Sequence, residues 1–211
     1  MNARTLNKPK FGSLPPELIK AAVYTLGMTP AAYAFYQAFT GQLGADPPKT
    51  LEKLLGLWAL RFLVIGLAIT PVRKLSGNTW NFVRYRRAIG LLAFFYALLH
   101  VIVYVWLDQD FNLAAIWKDL IKRPYITVGM LAFTILIPLA ITSNATMIKR
   151  LGAASWQRLH RWVYVAVPAG CLHFILLQKR WPPEPLIYAA ITSALLVWRV
   201  WEANHKPVRT R

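Results

Sequence analysis

Acidic residues are scarce in this chain. Eight Asp and Glu stand against 25 Lys and Arg, and charges of both signs fill only 16% of its 211 positions. Ordinary soluble chains carry about 25%. A soluble nucleic-acid binder would reach the net charge of +17 with many charges and a modest apolar fraction, whereas here 56% of residues are hydrophobic. That excludes a polyanion-binding soluble domain, and the apolar content excludes intrinsic disorder. A single cysteine, Cys171, excludes a disulfide framework. No glycine-rich loop opens a helix to cradle a phosphate, and the sequence carries no evident internal repeat or low-complexity tract. What remains is a small membrane protein whose positive charge sits in short loops and tails.

The apolar runs support this. A bilayer core of ~30 Å takes about 20 apolar helical residues. Six stretches approach that length: about Ala21–Thr40, Leu54–Val72 (broken by Arg61), Ala88–Leu107, Tyr125–Met147, Trp162–Gln178 and Pro185–Trp201. The expectation is an all-α bundle of six transmembrane helices over residues 21–201. Basic tails at 1–20 and 202–211 flank it. The N-terminal tail does not read as a cleaved signal peptide, because Pro15, Pro16, Glu17 and Lys20 precede any apolar run.

Orientation follows from Lys and Arg on each side. The two tails and the loops around 73–87 and 149–161 hold 17 of the 25, against seven in the alternate loops, with Arg61 left inside a span. Six of the eight acids lie in the alternate loops. Both termini are therefore expected in the cytoplasm, which an even number of spans requires.

Ionisable groups inside the hydrocarbon need a reason. His100 lies 12 residues into the third span and His173 lies 11 residues into the fifth. Both helices run outward, so each histidine sits ~16–18 Å from its inner end. Two neutral imidazoles at one depth on two parallel helices can clamp one metal, the geometry of bis-histidine haem ligation in a bundle. Read singly, each is equally a hydrogen-bonded packing residue or a proton-relay group. A tetrahedral zinc site is disfavoured, since no carboxylate or second cysteine is expected at that depth. His160, 13 residues before His173, is a candidate ligand for a second haem. Its partner positions on the third span are Arg86 and Arg87, so such a haem would lack one histidine. Arg61 either snorkels outward or meets a haem propionate. Arg84, Arg86 and Arg87 read as cytoplasmic anchors and equally as contacts for an anionic headgroup, a flavin phosphate or a propionate.

The sequence resembles the MsrQ (formerly YedZ) family, haem-binding membrane subunits of the bacterial periplasmic protein-methionine-sulfoxide reductase system. The matching stretches are LGADP at 43–47, ALRFLVIGLAITP at 59–71, RRAIGLLAFFYALLH at 86–100 and KRPYITVG at 122–129. They continue with ITS at 141–143, WQRLHRWVYV at 156–165, LHF around His173 and PLIY at 185–188. Their order and spacing cover about residues 20–201. The resemblance implies a ferric-reductase-like transmembrane domain in the bacterial inner membrane, with haem b held by His100 and His173. It also implies FMN, at a site the sequence does not place, and electrons drawn from the quinone pool. The electrons would pass to a periplasmic molybdopterin-containing subunit, on which sulfoxide reduction itself takes place.

The expected function is thus electron transfer, with the outer loops Ala45–Lys53 and Asp108–Arg123 docking the periplasmic partner. One competitor is a ferric- or oxygen-reducing carrier fed by a separate cytosolic flavin reductase. Another is a small transporter with His100 and His173 as relay groups, for which broken helices and inverted repeats would be expected. A third is a structural anchor, which would need no matched histidines.

Overall fold

The computed structural model describes residues 15–77, 82–178, 180 and 182–205. The tail residues 1–14 and 206–211, with Arg4, Lys8, Lys10, Lys206, Arg209 and Arg211, lie outside the described residues, as does Lys179. Among the described residues the chain is entirely helical. Its helices are α1 (Pro16–Phe39), α2 (Pro47–Leu75), α3 (Arg86–Val103), α4 (Leu113–Lys122), α5 (Pro124–Ile141), α6 (Ala145–Leu151), α7 (Ala153–His160), α8 (Val163–Leu177) and α9 (Pro183–Asn204).

Among those residues five helical stretches are long and apolar enough to cross a membrane: Pro47–Leu75, Phe82–Asp108, Pro124–Ile141, Ala153–Leu177 and Pro183–Asn204. The first expected span is present as α1, 24 residues long, and is not among those five. The five stretches, and not the six expected, meet the criterion.

Local chemistry explains where the helices begin and end. Asp46 caps α2 by accepting the backbone N–H of Lys49 at 3.3 Å, and Pro47 occupies the first helical position. The helix therefore starts seven residues before the expected Leu54, which brings Lys49, Glu52 and Lys53 into its first turns. At the other boundary, α5 stops at Ile141, short of the expected Met147. The Thr142 and Ser143 hydroxyls fold back on the carbonyls of Pro138 and Leu139, both at 2.6 Å, and Asn144 caps α6. The fifth expected span, Trp162–Gln178, is filled by α8, and the short α7 precedes it across Arg161–Trp162.

The core is built where α2 lies against α3 and α8. Leu51, Leu55 and Leu67 of α2, Leu92, Ala93 and Tyr96 of α3, and Ala166 and Val167 of α8 are all fully enclosed. Gly27 of α1 packs directly on Leu92, with no room for a side chain. Tyr96 also reaches α1, where Pro30 interrupts the helical hydrogen-bond ladder. α5 pairs with α8, and α9 closes the bundle against α2 and α8.

Candidate functional site

The extended start of α2 and the start of α5 place two backbone carbonyls beside the two histidines. His100, near the end of α3, has Nδ1 2.9 Å from the carbonyl oxygen of Glu52. His173, near the end of α8, has Nδ1 2.6 Å from the carbonyl oxygen of Tyr125. A carbonyl can only accept, so Nδ1 of each ring carries the proton and donates it. Each ring is thereby fixed in one tautomer, with Nε2 left as a lone-pair donor. Metal-binding histidines are held in this way, and the outer hydrogen bond raises the basicity of the ligating nitrogen.

The two rings face one another across α3 and α8. Their centroids are 6.0 Å apart and their planes cross at 82°. Two metal–imidazole bonds of about 2 Å each, with the rings' own half-widths, span a gap of that order. Among the described residues no three or more His, Cys, Asp or Glu side chains gather to hold a bare ion. Two imidazoles suit a metal whose other positions are filled by a porphyrin.

Glycine makes the geometry feasible. A Cβ on Gly56 would lie 2.9 Å from Nδ1 of His100, and one on Gly129 would lie 2.6 Å from Nδ1 of His173. Both distances are too short for real side chains, so each imidazole occupies the space a Cβ would take. The two half-sites are built alike. In each, the histidine follows its carbonyl partner by 48 residues, and the glycine follows that partner by four. An interval of 73 residues relates Glu52 to Tyr125, Gly56 to Gly129 and His100 to His173. This correspondence lies in backbone placement and in two residue types, Gly and His, and is too sparse to amount to a sequence repeat.

The histidines open on a cavity of about 420 Å³ lined by α2, α3, α5 and α8, within the range of small-molecule and cofactor sites. Most of its wall is apolar, from Leu57, Leu60, Leu63, Phe133, Leu136 and Phe174. Polar groups collect at the histidine end of the helices: Lys49, Glu52, Lys53, Asp108, Arg123 and Gln178. No carboxylate was expected at this depth, yet Oε1 of Glu52 lies 3.9 Å from Nε2 of His100, a consequence of the early start of α2.

The other sequence candidates do not join this pair. Arg61 turns from the cavity toward α9, where its Nε donates to the Tyr188 hydroxyl at 2.9 Å, its Nη2 lies 3.7 Å from Glu184, and its guanidinium covers the Trp58 ring. It ties α2 to α9. His160 ends α7, stacked on Trp156 with centroids 3.8 Å apart, its Nδ1 3.1 Å from the Trp156 carbonyl and its Nε2 3.3 Å from the Ser143 hydroxyl. Arg84 sits over Tyr85 in a short turn before α3. Arg86 and Arg87 open α3, 14 and 13 residues before His100 and so about 20 Å from it along the axis.

Sequence reasoning missed Glu52, Tyr125 and both glycines. It also counted Arg199 among the tail charges. Arg199 instead turns inward, donating to the Leu67 carbonyl at 2.7 Å and the Tyr164 hydroxyl at 2.9 Å. The detectable signal for the glycines was their position, four residues beyond the carbonyl on each helix facing a histidine.

Comparison with known proteins gives concordant results. Residues 55–171, more than half of the chain, match the family model described as a ferric reductase like transmembrane component. The chain is 51% identical over 200 residues to proteins of Brucella ovis, Brucella abortus and Brucella melitensis, a match covering 95% of this chain and 90% of each relative. Each of these relatives is named protein-methionine-sulfoxide reductase heme-binding subunit MsrQ. At that identity and coverage, with a ferric-reductase-like membrane component built around an opposed histidine pair, the chain belongs to the MsrQ family.

Proposed function

We propose that this protein is a membrane b-type cytochrome that carries electrons to a periplasmic molybdopterin-containing methionine sulfoxide reductase subunit. The observation that carries the reading is the opposed pair His100 and His173, each tied through Nδ1 to a backbone carbonyl so that Nε2 keeps the ring's lone pair. His100 and His173 would hold haem b as axial ligands. A bis-histidine haem supplies a one-electron centre with no open iron position, which suits electron transfer over oxygen activation. The chain's own residues fix the imidazole tautomers, exclude water with an apolar wall and present cations at the cavity mouth. Lys49, Lys53 and Arg123 stand where acidic substituents of a bound macrocycle would meet water.

In this reading α1 completes six spans, both termini are cytoplasmic, and the membrane is the bacterial inner membrane. The loops before α2 and between α3 and α5 face the periplasm and the partner. Electrons enter from the quinone pool at the opposite end, where Arg84, Arg86 and Arg87 would meet an anionic donor-side group and where His160 remains a candidate ligand for a second haem. For FMN, no glycine-rich loop opens a helix among the described residues, and the side chains single out no flavin site. A second reading, a ferric- or oxygen-reductase-type carrier fed by a cytosolic flavin reductase, draws on the similarity of residues 55–171 to a ferric reductase like transmembrane component.

The test is a reduced-minus-oxidised absorption spectrum of the detergent-purified protein. A b-type signal is expected, and His100→Ala or His173→Ala should abolish it. A preparation still colourless after reconstitution with haem would refute the cytochrome reading.

A further inference from the structure

Helix α4 lies between two membrane-crossing stretches, Phe82–Asp108 and Pro124–Ile141, and is joined to the second by Arg123 alone. It presents three distinct faces. One is held to the bundle. Asp119 is 8% exposed and accepts from the Tyr104 hydroxyl at 3.2 Å, Arg123 Nε lies 3.1 Å from it, and the Thr127 hydroxyl donates to the Leu120 carbonyl at 2.6 Å. The second is apolar and unpartnered. Leu113, Trp117 and Ile121 are 76%, 65% and 66% exposed, and successive members are ~40° apart around the helix, forming one stripe. The third is charged. Lys118 and Lys122 lie ~140° and ~180° from Leu113 around the same axis, and both are exposed.

A helix docked on a water-facing surface needs two faces, one buried and one polar. This helix has an additional apolar stripe adjoining its buried face, with the lysines beyond it. That arrangement matches a helix at the rim of a bundle, touching protein on one side, lipid on the next and water on the third. The preceding segment carries exposed apolar residues of its own, Trp106, Leu107 and Phe111. Tryptophan is the residue favoured at such a boundary.

We propose that α4 is a membrane-surface helix whose Leu113–Trp117–Ile121 stripe is seated in the bilayer interface. The occupant of this face is phospholipid, and Lys118 and Lys122 face the headgroups and water. The docking surface expected over Asp108–Arg123 is then narrowed to the charged side of α4.

Cys171 is the sole cysteine and is buried, so a Cys171→Ala background carries no competing thiol. In it, Trp117→Cys and Lys118→Cys variants of the full chain are labelled with an environment-sensitive fluorophore. They are then placed in nanodiscs of phosphatidylcholine and phosphatidylglycerol, which leave both faces open to water. The label at 117 should be quenched several-fold more by a nitroxide near the top of the acyl chains than by aqueous iodide, with the reverse order at 118. Ile121→Cys gives a second reading of the stripe if Trp117→Cys folds poorly. Iodide quenching at 117 and 121 equal to that at 118 would overturn the proposal and leave the stripe to a protein partner.

Discussion

The hydroxyl of Tyr96 repairs the break that Pro30 makes in α1. In an uninterrupted helix the N–H of Ala31 would donate to the carbonyl of Gly27. Here it donates to the Tyr96 hydroxyl at 2.9 Å, which itself donates to the Gly27 carbonyl at 2.8 Å. Tyr96 is fully enclosed, beside Trp58 and Phe62. A phenylalanine would fill the same space and leave both backbone groups without a partner. Tyr96→Phe is therefore expected to lower stability by about 1–3 kcal/mol, read as a lower Tm in detergent. An unchanged Tm would show that the bridge contributes nothing.

Gly56 and Gly129 give a sharper test of the histidine geometry. Gly129→Ala and Gly56→Ala should each displace one imidazole from its carbonyl and weaken haem retention by roughly 10–100-fold, the usual cost of disturbing a ligand's supporting contacts. Gly66→Ala is the control. Its Cβ would meet Ile89 at an ordinary 3.8 Å, so haem content should stay at the parental level. Equal losses in all three would point to a general packing defect.

Arg61 and the cavity-mouth cations should separate cleanly. Arg61→Ala removes the tie to Tyr188 and Glu184, so stability should fall by on the order of 1 kcal/mol while haem content and midpoint potential hold. Lys53→Ala and Arg123→Ala remove positive charge beside the cavity and should lower the midpoint potential, since a nearby cation favours the reduced form. Redox titration of the three variants settles the matter, and a shift confined to Arg61→Ala would reverse the assignment.

His160 is predicted to be dispensable for the centre between His100 and His173. His160→Ala should leave the main b-type spectrum intact and affect only a second, weaker signal. Loss of the main signal, with folding preserved by circular dichroism, would mean that the ligand pair is misassigned.

The features legible in the sequence were those encoded by composition along a single helix. Apolar runs marked α1, α2, α3, α5, α8 and α9, and a histidine deep within two of them marked His100 and His173. Contacts between helices were not legible. The direction of Arg61 depends on Tyr188, 127 residues away, and the inward turn of Arg199 depends on Leu67 and Tyr164. Glu52 was placed outside the site because hydropathy alone began the second span at Leu54, whereas the Asp46–Pro47 cap begins the helix earlier. Helix α4 was read as loop because ten residues with a single apolar stripe fall far short of a span.

Tyr125 is the second residue of α5, and Arg123, in an extended conformation, is the sole hinge between it and α4. The carbonyl that orients His173 thus lies three residues past the end of a helix seated, on our reading, in the bilayer surface. The counterpart carbonyl at Glu52 follows a helix start pinned by Asp46. The matched half-sites therefore differ in their mechanical mounting: α4 runs through Arg123 directly into the helix start that carries the Tyr125 carbonyl, whereas it meets the His100 stretch through the Tyr104–Asp119 hydrogen bond. Lateral pressure in the lipid should alter the hydrogen bond at His173 more than that at His100. Resonance Raman spectra in detergent and in nanodiscs, with Trp117→Ser as the control, would register that difference as a shift that the variant lacks.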